Sequence, residues 1–510
     1  MRCYLGIDNG GSTTKAALFD VQGHMLGSAG VSTATLTPRP GFAERDMEEM
    51  WRANCEVISR VIDKCRVKDS DIAGVGLCGH GKGLYLWGRG GSPVRHGIAS
   101  TDNRAYAYPA AWRADGTEAR IFERSCQHVM SCQPVALLAW LRDNEPREYE
   151  DIRWIFECKD YIRFRLTGEA RAERTDYSGA NLLNLRTGEY DSELLRCFGI
   201  EELRAALPPL CSSDEICGQV SREAAEACGL RPGTPVVGGM FDIDACALAS
   251  GITDEDKVCM IAGTWSINEY IRRAPVMDGS VEMNSLYCLP GYYLIEESSP
   301  TSAVNHSWFI DQLLPDLSEK YSSDRSALYS EINSWVEGIS ETEFVPIFLP
   351  FIMASNVHPN AKAAFVGLSA NHNRRHLMRS VYEGIVFSHR YHMEKLLRSR
   401  REPTRSVRLG GGAAQSQVWT QMFADALKLP VETVNVSEVG ALGCAMAAAA
   451  AVGDYPSLEA AAAAMSPVSS AVEPRSEFAG IYDRKYGLYL DAIACLDSIW
   501  DNVQKLVEAK

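Results

Sequence analysis

Apolar residues near the start of the chain form two short runs separated by a polar turn. Residues 4–8 and 15–20 are predicted strands, and residues 9–14, rich in Gly, Ser and Thr, form the turn between them. Apolar residues then recur at helical spacing over residues 47–62, after an aspartate placed to cap the helix. A third strand is predicted at residues 72–77. This order of hairpin, helix and strand is typical of a mixed α/β sheet.

The same layout begins again after about residue 250. Residues 257–261 and 266–271 are predicted strands around a tight turn, which repeats the architecture of the opening hairpin. We therefore expect two equivalent α/β domains that face a central cleft. The expected domains are residues 1–248 and residues 249–510, and the second includes a helical tail.

Charge and composition narrow the classes of partner. The chain has 510 residues, and its 51 Lys and Arg against 66 Asp and Glu give a formal net charge of −15. Sequence-independent nucleic-acid binding needs clustered basic residues, so we expect no nucleic-acid partner. Small anionic ligands stay compatible with this charge, because backbone amides can bind phosphate.

The chain also lacks the sequence features of membrane, secreted and zinc-binding proteins. No apolar run reaches the roughly 18 residues that a membrane span requires, and the first residues contain no apolar signal-peptide core. We therefore expect a cytoplasmic protein without a membrane partner. The 16 cysteines include no C-x-x-C pair, so no structural zinc site is predicted.

The first candidate site is the turn that begins with Asp8 and runs to Lys15. An acidic residue ends a buried strand, glycines let a ligand approach the backbone, and hydroxyl groups follow. Amides and hydroxyls of this kind hold phosphate oxygens, and the carboxylate suits Mg²⁺. The alternative is an ordinary hairpin with a polar turn.

A second candidate follows the strand at residues 72–77. Residues 74–79 match the pattern G-x-G-x-x-G, but the chain continues into another predicted strand and not into a helix. The dinucleotide-binding motif needs that helix, so NAD binding is not predicted. We interpret the segment as a strand whose end delivers His80 and Lys82 to a cleft. The alternative for Lys82 is a solvent-exposed loop lysine.

Two further candidates lie where a predicted strand leads into a helix. Asp242 follows the strand at residues 236–239, and its carboxylate is either the helix N-cap or a general base, or both. Asp244, on the first turn of the helix, is its rival for the role of base. Residues 410–416 form a Gly-rich turn, which either packs closely or presents amides to a nucleotide.

Taken together, these pieces resemble the FGGY carbohydrate kinases, members of the actin/hexokinase-like superfamily. Residues 363–383 fit the second signature of that family at every constrained position. The first signature falls on residues 132–144 and departs from the family pattern at Cys132 and Leu137. The resemblance covers about residues 3–455.

The resemblance implies two actin-like ATPase (ribonuclease H-like) domains, each a mixed five-stranded sheet with flanking helices, around a central cleft. It also implies ATP and Mg²⁺, with Asp8 binding the metal and Asp242 acting as the catalytic base. The implied nucleotide-binding residues are Gly11, Ser12, Thr13, Thr14, Thr264, Gly411, Gly412 and Ser416. The implied substrate-binding residues are His80, Gly81, Lys82, Asp102 and Asp242.

The implied activity is ATP-dependent phosphorylation of a small carbohydrate hydroxyl, and a homodimer is the implied assembly. Residues 81–83 and 100–104 look most like those of kinases for L-xylulose and related keto-sugars, whereas His80 replaces the Gln common in that subgroup. D-Xylulose, ribulose, erythritol and other polyols are alternative substrates. Alternatives of another class are a non-catalytic sugar- or nucleotide-binding regulator and a nucleotide-driven chaperone or filament.

Overall fold

The computed structural model describes residues 1–281, 283–434, 438–466 and 468–508. Its strands are β1 (Cys3–Asn9), β2 (Thr13–Asp20), β3 (Met25–Ser32), β4 (Glu44–Arg45), β5 (Ile72–Gly79), β6 (Tyr85–Gly88), β7 (Gly97–Ile98), β8 (Ile152–Phe156), β9 (Ala172–Glu173), β10 (Leu183–Asn184), β11 (Glu189–Tyr190), β12 (Leu210–Cys211), β13 (Ile216–Gln219), β14 (Pro235–Val237), β15 (Met240–Phe241), β16 (Lys257–Ala262), β17 (Ser266–Arg272), β18 (Met283–Leu286), β19 (Tyr293–Ser299), β20 (Ile347–Leu349), β21 (Ala364–Val366), β22 (Ser406–Gly410), β23 (Val431–Val434) and β24 (Val468–Val472). Its α-helices are α1 (Met47–Cys65), α2 (Ala107–Ala114), α3 (Thr117–Ser125), α4 (Pro134–Asn144), α5 (Pro146–Asp151), α6 (Cys158–Thr167), α7 (Arg174–Ser178), α8 (Ser192–Phe198), α9 (Arg222–Cys228), α10 (Asp242–Ala249), α11 (Val304–Leu313), α12 (Pro315–Lys320), α13 (Arg325–Glu337), α14 (Arg374–Arg398), α15 (Gln417–Leu427), α16 (Val439–Ala451), α17 (Leu458–Met465), α18 (Ser476–Leu496) and α19 (Trp500–Glu508).

The chain forms two compact units, and each is built from more than one segment. The first unit comprises Met1–Thr253, Ile271–Ile295 and Val436–Pro467, and the second comprises Asp254–Tyr270, Glu296–Asn435 and Val468–Lys510. Helix α16 belongs to the first unit because it packs against β1, β5 and α10. The expected domains, residues 1–248 and 249–510, are each continuous in sequence. The compact units are not, because later segments of the chain return to the first unit.

The first unit contains a seven-stranded sheet of order β13-β14-β5-β1-β2-β3, in which β15 also pairs with β5. The predicted opening hairpin is confirmed, since β1 and β2 are antiparallel with Asp8 opposite Lys15. Helix α1 packs against β2 and β3, and its N-cap is Asp46, as predicted. The Asp46 carboxylate accepts hydrogen bonds from the amides of Glu48 and Glu49.

Close contact between α16 and the first sheet depends on glycine. A Cβ on Gly6 of β1 would lie 1.9 Å from the carbonyl oxygen of Ala441, and one on Gly76 of β5 would lie 2.1 Å from that of Cys444. Real Cβ atoms do not approach so near, so any side chain at these strand positions would push the helix away. Helix α16, which is rich in alanine, is thus a buried core helix.

The second seven-stranded sheet has the order β18-β19-β17-β16-β22-β23-β24. β16 and β17 form the predicted second hairpin, and β22 runs parallel to β16. Each sheet contains a mixed five-stranded arrangement in the same order, β3-β2-β1-β5-β14 in one and β19-β17-β16-β22-β23 in the other. The expected total of five strands is too low, because the short strands β13 and β15 extend the first sheet and β18 and β24 extend the second.

The helix that carries Asp242 begins later than the sequence predicts. Gly239 has a φ of 72°, and the next two residues form β15, so α10 starts at Asp242 and not directly after the predicted strand at residues 236–239. Among the described residues, no helix is long and apolar enough to cross a membrane.

Candidate active site

Three strands of the first unit end side by side. β1 and β15 both run parallel to β5, and their last residues, Asn9 and Phe241, both pair with Gly79 at the end of β5. The predicted site residues at these ends are Asp8, His80 and Asp242. Ligands of α/β proteins bind at the carboxyl ends of parallel strands. This sheet edge therefore collects the predicted metal-binding, substrate-binding and catalytic residues.

Asp8 is half-buried at the end of β1. Burial raises the pKa of its carboxyl above the usual value, while Lys15 on the paired strand acts to lower it. Lys15 itself forms a 3.1 Å ion pair with Glu438. A bound cation would offset the burial of Asp8, and Mg²⁺ needs only one or two protein carboxylates when phosphates and water complete its shell. The described residues hold no cluster of three or more metal-ligating side chains.

The turn after β1 is tied to the unit by a buried arginine. Gly10 N donates to Thr13 O over 3.1 Å, and Arg45 Nη1 donates to Gly10 O over 2.9 Å. The predicted phosphate-binding residues of this turn run from exposed to buried in the order Gly11, Ser12, Thr13 and Thr14. The groups open to a ligand are thus the backbone of the turn and its first two hydroxyls.

His80 is buried with one ring nitrogen engaged. Its Nε2 lies 2.9 Å from the hydroxyl of Tyr85, and its Nδ1 has no hydrogen-bond partner in the described part of the chain. Burial, together with the charge of Arg45, lowers the pKa of His80 to about 3, so the ring is neutral at neutral pH. A neutral imidazole has one donor and one acceptor, and here one of the two is unused.

Gly81 and Lys82 continue this loop. A Cβ on Gly81 would lie 2.6 Å from the ring of Phe241 and 2.8 Å from Asp176 Oδ1, so no side chain fits there. Lys82 is half-buried with a φ of 65°. Its charge acts on Glu157, where it favours the ionised form of that carboxyl.

Asp102 is placed differently from the other predicted sugar-binding residues. Its buried carboxylate pairs with Arg104 Nη2 at 2.9 Å and accepts a hydrogen bond from Ala43 N over 2.7 Å. Arg104 also donates to Glu44 Oε1 over 2.7 Å and lies 4.1 Å from the ring centroid of Phe42. Arg104 N donates to the other oxygen, Asp102 Oδ1, over 2.8 Å. Because the protein already engages both carboxylate oxygens, direct sugar contact by Asp102 stays a prediction.

The two aspartates at the start of α10 have separate environments. Asp242 is the first residue of the helix and is half-buried, and Phe241 takes the N-cap position, so Asp242 is not the N-cap. Asp244 is fully buried, and its Oδ1 accepts a hydrogen bond from Cys288 N over 3.0 Å. Burial raises the pKa of Asp244 well above its usual value. Asp242 is therefore the more accessible of the two.

The second unit carries Thr264 on the turn between β16 and β17, with an exposed side chain. Ser302 N donates to Thr264 O over 3.1 Å, which ties the turn to the start of α11. His389 contacts both sides of the same turn, since its ring nitrogens lie 3.0 Å from Ser266 Oγ and 2.8 Å from Ser302 Oγ. Hydrogen bonds thus anchor the turn on both sides, while Thr264 itself is exposed.

A cavity of about 240 Å³ lies in the second unit between α11, α13, α14 and α15. Tyr382 and Trp419 stack in its wall with ring centroids 4.2 Å apart, and His306 lies 5.2 Å from Tyr382. Burial lowers the pKa of His306 to about 4. Neither His306 Nε2 nor Trp419 Nε1 has a hydrogen-bond partner among the described residues. Flat aromatic faces with unused ring nitrogens suit a heteroaromatic base.

The predicted Gly-rich turn lines this aromatic cavity. Ser416 Oγ donates to Asn333 Oδ1 over 2.8 Å, and both residues line the wall. Gly411 has a φ of 80°, and a Cβ there would lie 2.6 Å from Ala262 O, so glycine is required. A Cβ on Gly412 would meet nothing within 4 Å, so this residue borders open space.

Family models match both halves of the chain. The N-terminal domain of the FGGY family of carbohydrate kinases matches residues 3–249, and the C-terminal domain matches residues 258–452. The chain belongs to the FGGY family of carbohydrate kinases.

Individual relatives of this FGGY kinase are similar in sequence over almost its full length. The L-xylulose/3-keto-L-gulonate kinase of Escherichia coli (strain K12) is 35% identical over 504 residues, 98% of this chain and 99% of that protein. The probable L-xylulose kinase of Pasteurella multocida (strain Pm70) is 34% identical over 500 residues, 98% of this chain and 100% of that protein.

Among solved structures, the xylulose kinase from Rhodospirillum rubrum has a TM-score of 0.83 at 25% identity and covers 98% of this chain and 100% of that chain. The predicted actin-like ATPase fold is confirmed. This FGGY protein is a carbohydrate kinase, with a small-molecule sugar and ATP as its substrates.

Sequence reasoning missed several residues that build these two regions. Arg45 lies just before the predicted helix at residues 47–62, but its contact with the turn after β1 depends on folding. Tyr382 falls inside the second family signature, which is a usable signal. His306 and Trp419 lie in ordinary helical segments, and no local pattern marks them as cavity residues.

Proposed function

We propose that this FGGY kinase phosphorylates a ketopentose of the L-xylulose type, with Asp242 as general base and Mg²⁺ held at Asp8. The observation that carries the proposal is the meeting of Asp8, His80 and Asp242 at the ends of three neighbouring parallel strands. A metal-binding carboxylate, a neutral hydrogen-bonding ring and an accessible carboxylate are groups that phosphoryl transfer to a sugar hydroxyl needs.

Asp242 takes the proton of the attacking hydroxyl. As that oxygen bonds to the γ-phosphorus of ATP, the bond from this phosphorus to the oxygen that bridges it to the β-phosphorus breaks, and ADP leaves with that oxygen. Asp242 lies in the first turn of α10, at the positive end of the helix dipole. Asp244 is less suited to the role, since it is fully buried and bonded to Cys288 N.

Both units carry groups suited to Mg-ATP. Asp8 would hold Mg²⁺, an ion that offsets the negative charge of the phosphates when it is bound. Ser12 and Thr13 of the first unit and Thr264 of the second present hydroxyls suited to phosphate oxygens. The aromatic cavity beside Gly412 takes the adenine.

L-Xylulose is the sugar that we expect to give the highest kcat/KM. The names of the two curated relatives support a keto-sugar substrate. D-Xylulose, ribulose and erythritol are the competitors, because His80 departs from the Gln common among L-xylulose kinases. The homodimer expected from the family resemblance stays a prediction.

The test is ADP release from Mg-ATP with L-xylulose, D-xylulose, L- and D-ribulose, erythritol, glycerol and 3-keto-L-gulonate, each corrected for ATP hydrolysis without sugar. We expect L-xylulose to give the highest kcat/KM. A higher kcat/KM for erythritol or glycerol would contradict the ketose assignment. No phosphorylation of any of the ketopentoses would contradict the proposed function.

A further inference from the structure

Glu157 is a buried carboxylate that the fold leaves without a partner. It follows β8 and occupies the N-cap position of α6, yet its side chain accepts no capping hydrogen bond. Only 1% of the residue is exposed, and neither Oε1 nor Oε2 has a hydrogen-bond partner in the described part of the chain. Leaving such a group unpaired is costly, and each instance in a native protein calls for an explanation such as a bound ligand or water.

The strand pairing places Glu157 beside the predicted sugar-binding loop. β8 is antiparallel to β6, with Phe156 opposite Tyr85. The next residue, Glu157, therefore lies next to the start of β6, where the loop that contains His80 and Lys82 leads into this strand. The charge of Lys82 favours ionisation of Glu157, although burial and the neighbouring Asp176 raise the pKa of Glu157 well above its usual value.

Two further polar atoms in this region have unused hydrogen-bonding capacity. His80 is 7% exposed, and its Nδ1 is unpartnered among the described residues. Asp176 Oδ2 pairs with Lys159 at 3.0 Å, while Asp176 Oδ1 has no hydrogen-bond partner there and lies 2.8 Å from the position of a Cβ on Gly81. Open hydrogen-bonding positions thus come from three separate elements, the end of β5, the end of β8 and α7.

We propose that Glu157 is a further substrate-binding residue, which together with Nδ1 of His80 hydrogen-bonds hydroxyl groups of a polyhydroxylated ketose. The inference rests on the proposed function, because it takes the substrate to be a ketose. A hydroxyl both donates and accepts, so it can satisfy the carboxyl in either protonation state and the imidazole in either tautomer. A site built to bond a hydroxyl discriminates strongly against analogues that lack it, so Glu157 contributes to sugar specificity.

Substitution of Glu157 separates this role from a structural one. Glu157→Leu should raise the KM for the sugar roughly 10- to 100-fold, because a buried hydrogen bond to the carboxyl is lost. The KM for ATP should stay at the wild-type value, and Tm should be equal to or above that of wild type, because the variant no longer buries an unpaired carboxyl. A purely structural role would lower Tm and leave the sugar KM unchanged.

A matched control is available in the second unit. Glu296 is also buried, with an unpartnered Oε2, and lies in β19. Glu296→Gln should leave the sugar KM unchanged. Ketose analogues that lack one hydroxyl then identify the hydroxyl that Glu157 binds. Wild type should bind one of these analogues more weakly than the full ketose. Glu157→Leu should bind that analogue and the full ketose equally well.

The outcomes distinguish this inference from the proposed function. Wild-type sugar KM values in both Glu157→Leu and the more conservative Glu157→Gln would overturn the role of Glu157, while phosphorylation of L-xylulose by wild type would still support the proposed function. If Glu157→Leu fails to fold, the sugar KM of Glu157→Gln decides: a raised value supports the role of Glu157, because the amide offers one oxygen where the carboxyl offers two, and a wild-type value overturns it. A wild-type protein that phosphorylates no ketose would overturn both.

Discussion

Gly412 offers a test of the aromatic cavity that leaves the fold intact. A Cβ at this position would meet nothing within 4 Å, and the residue lines the cavity next to Trp419. Unlike Gly411, it does not have a positive φ, so an L-residue fits its backbone. We predict that Gly412→Val folds normally and fills space that adenine would occupy.

The expected loss of affinity follows from the aromatic contacts that adenine would make. Each ring–ring contact contributes about 0.5–1.5 kcal/mol beyond the area that it buries. The rings available to the base in this wall are those of His306, Tyr382 and Trp419. Losing two such contacts costs about 1–3 kcal/mol, which raises the Kd for ATP roughly 5- to 150-fold. The Kd for the sugar should not change.

The assay is calorimetric titration of ATP into wild type, Gly412→Val and the control Gly487→Val. A Cβ on Gly487, in α18 of the same unit, also meets nothing within 4 Å. Thermal unfolding at the wild-type Tm would establish that both variants are folded. If Gly412→Val then binds ATP as tightly as wild type and the control, the aromatic cavity is not the adenine site.

Three further predictions address packing, metal and pH. Gly76→Ala should destabilise the protein by about 1–3 kcal/mol, because its Cβ would lie 2.1 Å from Cys444 O. The control is Gly90→Ala, whose Cβ meets nothing within 4 Å. Equal denaturation midpoints for the two variants would contradict the prediction. Asp8→Asn should raise the Mg²⁺ concentration for half-maximal turnover at least about tenfold, and an unchanged Mg²⁺ dependence would refute its role. Burial lowers the pKa of His389 to about 3. Below about pH 6.5 the unfolded chain therefore binds a proton that the folded chain does not. The free energy of unfolding then decreases as the pH is lowered, by up to about 1.4 kcal/mol per pH unit. His389→Gln should remove that share of the slope between pH 6 and pH 4, and an unchanged slope would disprove the assignment.

Elements with a strong local pattern could be predicted from the sequence. Alternating and helical apolar spacing marked the opening hairpin and α1, and Asp46 is the N-cap that its position suggested. Asp8 and His80 were also placed correctly at strand ends, because a strand followed by a Gly-rich turn puts the next polar residue at the sheet edge.

Features that depend on residues far apart in the chain could not be predicted. The return of α16 to the first unit joins Gly6 to Ala441, and nothing near either residue indicates the other. The aromatic cavity likewise needs His306, Tyr382 and Trp419 from three helices.

The ion pair between Asp102 and Arg104 shows a different limit of sequence reasoning. These residues are close in sequence, yet only the buried geometry decides that the carboxylate meets the arginine and a backbone amide. A charged residue in a predicted binding loop can therefore be engaged by the protein itself.

The most direct test of the central claim compares Asp242→Asn with Asp244→Asn. Asp244→Asn is a matched control, because burial already favours the neutral form of Asp244 and an amide oxygen can still accept from Cys288 N. The account predicts that Asp242→Asn lowers kcat with L-xylulose about 10²- to 10⁴-fold, keeps wild-type Kd values for sugar and ATP, and leaves the control active. A wild-type kcat in Asp242→Asn would contradict the assignment of Asp242 as the base.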